Sequence, residues 1–130
     1  SFIGTLPETV KHFLRFFPPD KLEPGDVLIT NDIWLGTGHL PDVTLAKPIF
    51  RDGKLVAFSA TTAHVPDIGG KIRSPEPREV FEEGLQIPPM KMIAAGRTDE
   101  TLVGIIRKNV RTPDQTMGDL YAQIVALDLM

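Results

Sequence analysis

The chain is 130 residues long, 42% hydrophobic and 24% charged, the size and composition of one globular domain able to bury its own core. It contains no cysteine, which excludes disulfide scaffolds, thiolate zinc sites and cysteine nucleophiles and fits a reducing, cytoplasmic compartment. A net charge of -3 offers no general attraction to nucleic acid or to anionic lipid, and no apolar run approaches the ~20 residues of a membrane span.

A capping box, Thr5-Leu6-Pro7-Glu8, opens the first predicted element. Leu6, Val10, Phe13, Leu14 and Phe17 follow at helical spacing until Pro18-Pro19 stop the helix. After a turn at Pro24-Gly25, the apolar β-favouring run Val27-Leu28-Ile29-Thr30 predicts a short buried strand ending at Asn31-Asp32. The glycine-rich stretch Trp34-Leu35-Gly36-Thr37-Gly38 then delivers the chain to His39-Leu40-Pro41-Asp42.

Val43 to Phe50 and Leu55 to Ala63 read as two strands joined at Arg51-Asp52-Gly53-Lys54, where Asp-Gly signals a hairpin. Pro48 cannot donate a ladder hydrogen bond, so the first of these strands is an edge there or carries a bulge. Pro66 to Pro77, with Gly69-Gly70 and three prolines, reads as a long loop, Arg78 to Gly84 as one helical turn, and Met90 to Ile93 as extended chain. Asp99 caps a helix carrying Leu102, Val103, Ile105 and Ile106. Thr112-Pro113-Asp114-Gln115 is a second capping box, opening a helix with Met117, Leu120, Tyr121, Ile124 and Leu127 on one stripe. The expected class is α+β: a small antiparallel sheet with a β-hairpin, an N-terminal helix, C-terminal helices and long Pro/Gly loops. The chain reads as a single domain, residues 1–130, cut from a longer polypeptide whose last helix runs on.

Among residues able to carry chemistry, the histidines come first, because imidazole is the commonest transition-metal ligand and the usual base near neutral pH. His12 lies off the apolar stripe of its helix and reads as solvent-facing. His39 and Asp42 flank Leu40-Pro41, and His64 and Asp67 flank Val65-Pro66, a repeated His-x-Pro-Asp spacing at the ends of two strands. Such a set mixes neutral nitrogens with hard oxygens and suits Zn, Mn or Fe(II).

The hairpin register bears on whether these pairs meet. With Arg51 opposite Lys54, Pro41 faces His64 and Asp42 faces Ala63, so Asp42 and His64 fall on opposite sheet faces. A three-residue loop would shift the register and set the two diagonally on one face. Hydrophobic patterning favours the first register, gathering Val43, Leu45, Ile49, Val56 and Phe58 together, whereas metal binding needs the second or a bulge. On spacing alone the histidines could equally cap strand ends while Asp42 and Asp67 form turns around proline. Asn31 and Asp32 suit a turn better than a ligand. Glu79, Glu82 and Glu83 read as a solvated cluster, and Ser59 and Ser74 lack a nucleophile-elbow context.

Gly25-Asp26-Val27-Leu28-Ile29-Thr30-Asn31-Asp32, Gly38-His39-Leu40-Pro41-Asp42-Val43-Thr44, Ala63-His64-Val65-Pro66-Asp67-Ile68-Gly69-Gly70 and Glu82-Glu83-Gly84-Leu85-Gln86-Ile87-Pro88-Pro89 together resemble the hydantoinase B/oxoprolinase family. The likeness runs through nearly the whole chain, and several linked motifs make it far more specific than any one. It implies the B-type subunit of an ATP-dependent cyclic-amide hydrolase of the hydantoin or 5-oxoproline type, or alternatively the large subunit of a ketone carboxylase or a non-catalytic scaffold that keeps the fold. Such subunits are several times longer than this chain and assemble into oligomers with an A-type partner that uses ATP to activate a cyclic amide or ketone. The resemblance further implies a divalent metal (Zn, Mn or Fe) on His39, Asp42 and His64. Asp67 would be a fourth ligand or an acceptor orienting an imidazole, and Asn31, Asp32 and Trp34 would line the same pocket. No catalytic residue is assigned. The chain departs from the family pattern at Phe2, at Ile33-Trp34 and at Val65, where His, Pro-Tyr and a second His are common.

Overall fold

A computed structural model describes residues 6–31, 42–64 and 84–129. They form α1 (Leu6–Phe16), a 3-10 turn (Pro19–Lys21), β1 (Val27–Thr30), β2 (Asp42–Arg51), β3 (Lys54–His64), β4 (Met90–Ala94), β5 (Arg97–Thr98), α2 (Glu100–Asn109) and α3 (Pro113–Leu127). The strands pair antiparallel in one five-stranded sheet of order β3-β2-β1-β4-β5. The expected α+β class is therefore the class found. The Thr5 cap, the Pro66 to Pro77 loop and residues 78–83 lie outside the described residues.

Alternation along the strands sends side chains to two covered faces. On one face Val27, Ile29, Val43, Leu45 and Met92 join Leu102, Val103 and Ile106 of α2 and Met117, Leu120 and Leu127 of α3. On the other, Phe13 of α1 packs with Leu22, Leu28 and Ala46, flanked by Phe17, Phe50, Leu55, Phe58 and Ala60. β1 is buried at all four positions because both of its faces meet helices.

Asp52 (φ 53°) and Gly53 (φ 78°) both take the left-handed conformation of a two-residue hairpin turn, whose twist matches that of the flanking strands. Arg51 pairs with Lys54 and Phe50 with Leu55, but the next rung is Ile49 with Ala57, which leaves Val56 as an extra, unpaired residue in β3. That bulge overturns the patterning argument. Val43 and Leu45 do share a face, whereas Phe58 turns to the α1 side, and Ile49 (38% exposed) and Val56 (57%) meet solvent. Pro48 lies beyond the last β1–β2 rung, Leu28 with Ala46, so its missing N–H removes no bond from the central ladder.

A second tight turn, Ala95 (φ 50°) and Gly96 (φ 83°), folds β5 back on β4. It is tied to the turn before β1 by a buried carboxylate. Asp26, whose side chain is 0% exposed, accepts from the Glu23 N–H at 2.8 Å and the Ala95 N–H at 2.7 Å, and its other neighbour is the Lys91 ammonium at 3.0 Å. The Gly96 N–H donates to the Gly25 carbonyl at 3.0 Å.

Asp99 caps α2 as expected, accepting from the Leu102 N–H at 3.0 Å. Thr112 differs: its side chain makes no cap bond to α3, and its carbonyl instead accepts the first helical bond, from the Thr116 N–H. Asp114 of the same turn pairs with Arg107 at 2.8 Å. On α3, Met117, Leu120 and Leu127 are buried, but Tyr121 is 39% exposed and leaves the stripe to which its spacing assigned it. Helical bonding closes with the Asp128 and Leu129 N–H groups donating to Val125 and Ala126.

Candidate functional site

Of the sequence's chemistry-bearing positions, Asn31, Asp42 and His64 lie at the end of the sheet formed by the C-terminus of β1, the start of β2 and the finish of β3. Asp42 opens β2 and His64 closes β3, and the bulge at Val56 sets them directly opposite each other. Positions opposed in an antiparallel ladder share a sheet face. The extra residue in β3 thus allows a tight Asp-Gly turn together with an Asp42 position directly opposite His64. His39, Asp67, Asp32 and Trp34 lie outside the described residues. Among the described residues no three His, Asp or Glu side chains converge as a metal would require, and two of the four expected ligands are not among them.

One step inward on the face shared with α1 runs a row of hydroxyls. Thr30 of β1, Thr44 of β2 and Thr62 of β3 stand in direct register on three adjacent strands. Thr30 donates to the Ile87 carbonyl at 2.8 Å. Thr44 is buried, and the buried Thr62 hydroxyl has no hydrogen-bond partner among the described residues. On α1, Thr9 is buried one helical turn from Phe13. None of these threonines stands out in the sequence, because threonine is also an ordinary strand former.

Asn31 is 3% exposed and works as a backbone clamp. Its Nδ2 donates to the Leu85 carbonyl at 2.8 Å, its Oδ1 accepts from the Ile87 N–H at 2.5 Å, and its own N–H donates to the Ile87 carbonyl at 3.1 Å. The amide thereby fixes the 85–87 segment beside the Asp42–His64 end of the sheet. His12 is half-buried on α1, and Ser59 is spent on a 2.9 Å bond to the Leu127 carbonyl. An open cleft of about 500 Å³ edged by Phe17, Met90, Lys91 and Arg97 holds no comparable set. Its Lys91 is committed to Asp26 and to the Lys21 carbonyl, with the Phe17 ring 5.8 Å away.

An antiparallel sheet with helices on both faces describes a class of fold, and sequence comparison identifies the family. Residues 1–130 match the hydantoinase B/oxoprolinase family, and the chain belongs to it. It is 35% identical over 124 residues to the caprolactamase beta subunit of Pseudomonas jessenii, covering 93% of this chain and 21% of that subunit. It is 31% identical over 127 residues to the 5-oxoprolinase of Dictyostelium discoideum, covering 95% of this chain and 10% of the relative. The crystal structure of the ATP-dependent caprolactamase from Pseudomonas jessenii superposes with a TM-score of 0.84 at 34% identity, over 97% of this chain and 22% of that one. A nucleotide-free acetone carboxylase superposes with a TM-score of 0.69 at 22% identity, over 86% of this chain and 15% of that one, a likeness of fold alone. The chain thus spans about a fifth of the length of the caprolactamase polypeptide and about a tenth of the 5-oxoprolinase.

Proposed function

We propose that this chain is the metal-bearing segment of the B-type subunit of an ATP-dependent cyclic-amide hydrolase of the hydantoin, lactam or 5-oxoproline type. The observation that carries the reading is the bulged register opposing Asp42 to His64, in a chain similar over nearly its whole length to a caprolactamase beta subunit. The donor chemistry fits a divalent cation: one hard carboxylate and one imidazole in register, with a buried hydroxyl two rungs inward that has no partner among the described residues. His39, Asp42 and His64 would hold the ion, with Asp67 as fourth ligand or as an acceptor orienting an imidazole. A bound Zn, Mn or Fe(II) supplies Lewis-acid polarisation of a carbonyl or phosphoryl oxygen.

The rest of the work falls to the chain's own residues. Asn31 holds the 85–87 segment against the end of β1 and so would fix one wall of the site, and Asp32 and Trp34 are the other residues that would line the pocket. ATP belongs to an A-type partner subunit in an oligomeric, cytoplasmic enzyme, and the remainder of the B-type subunit supplies most contacts to the cyclic amide. The ketone-carboxylase alternative rests on a likeness of fold alone.

Elemental analysis of the purified chain, beside His39→Ala and His64→Ala, tests the assignment. We expect about one equivalent of divalent metal in the parent and its loss in both variants, with no ATP-dependent hydrolysis of a hydantoin or lactam until partner subunits are added. A parent chain that folds but retains and binds no metal would instead mark a scaffold module that keeps the family fold without its chemistry.

A further inference from the structure

Thr62 carries a feature that neither strand formation nor packing explains. Its Oγ1 is buried and makes no hydrogen bond to any described residue. A hydroxyl withdrawn from water without a partner destabilises the folded chain, whereas valine has the same shape, lacks the penalty and is an equally good strand former. Folding alone therefore favours valine at this position. The hydroxyl's location suggests what it serves: Thr62 is two residues before His64 on β3, on the same face and about 6.6 Å along the strand. It faces Thr44, which stands two residues after Asp42.

We propose that Thr62 is a positioning residue whose hydroxyl donates to an oxygen carried by the cation held at the Asp42–His64 pair, water when the cation is alone. The proposal rests on the metal reading above and adds a residue to it. Thr62 would not ligate the ion. Its O–H would hold the oxygen in one orientation, and that oxygen would supply the acceptor the hydroxyl lacks within the described chain.

Zinc and manganese titrations of the 130-residue chain by calorimetry, run on the parent, Thr62→Val and Thr62→Ser alongside thermal melts, test the idea. Thr62→Val is expected to melt at the parent temperature or above it while binding metal about 10-fold more weakly, the scale of losing a partner that orients a metal's immediate surroundings. Thr62→Ser keeps the donor and should bind within about 2-fold of the parent, consistent with the hydroxyl carrying the effect. Equal affinity in Thr62→Val and the parent overturns the role of Thr62 and leaves the metal site standing; the hydroxyl then meets only a buried water. A lower melting temperature for Thr62→Val, or Thr62→Ser binding as weakly as Thr62→Val, also overturns it, because the side chain would then act through packing. Absence of metal binding in a folded parent overturns both this inference and the reading beneath it.

Discussion

Asn31 shows how one amide side chain can settle the shape of a site wall. Its two ends replace a missing strand partner for residues 85–87, donating to one carbonyl and accepting from one N–H. Asn31→Ala removes both bonds and leaves the Ile87 N–H without that acceptor in a buried setting, a loss of about 3 kcal/mol on the usual cost of unsatisfied groups. Urea denaturation should show that loss, and hydrogen exchange at the Ile87 amide should accelerate. Unchanged stability would mean that the 85–87 segment is held by something other than this clamp. The sequence marked Asn31 as a strand-ending residue near the site but could not distinguish a turn, a substrate contact or a clamp. The decision lies in contacts more than 50 residues distant.

At the scale of elements, what was legible had a local cause. β1 and the ends of the long hairpin follow from β-branched runs bounded by Asn-Asp and Asp-Gly, and α2 follows from Asp99. A bulge near Pro48 was an open alternative in the sequence, but its place in β3 was not legible because the extra residue, Val56, is apolar yet exposed, so alternation pointed to the wrong partner. β5 was missed because Ala95 gives no turn signal although it takes a positive φ. Gly25 is a case where tertiary contact adds to backbone conformation. At φ 90° it already disfavours any side chain, and an added Cβ would sit 2.9 Å from the Gly96 nitrogen. Gly53 has φ 78° but open space around it. Gly53→Ala should therefore cost only the left-handed strain, about 1 kcal/mol, while Gly25→Ala adds a backbone clash and should cost about 3 kcal/mol. Comparing their urea midpoints checks the ordering, and equal costs would show that the Gly25–Gly96 corner opens without penalty.

The described residues form one sheet with a separate apolar layer on each face. Phe13 and its neighbours cover one side, and the larger cluster of α2 and α3 covers the other. These layers share no side chains but share strands: Leu28 and Ile29, adjacent in β1, belong to opposite layers, as do Leu45 and Ala46 in β2. Neither layer can lose its packing without exposing one face of the same central strands, and a sheet stripped on one side has too little burial to persist. A single cooperative transition follows. Phe13→Ala and Leu120→Ala should each cost about 3–4 kcal/mol, set by the cavity each leaves. Because the two side chains lie in different layers with no common contacts, the double variant should lose the sum of the two within ~0.5 kcal/mol if a folded baseline remains. Urea unfolding followed by circular dichroism and by tyrosine emission from Tyr121 on α3 should give coincident curves for both single variants. Phe13→Ala releasing α1 at low urea, while the Tyr121 signal stays native, would instead make the α1 layer an independently melting unit.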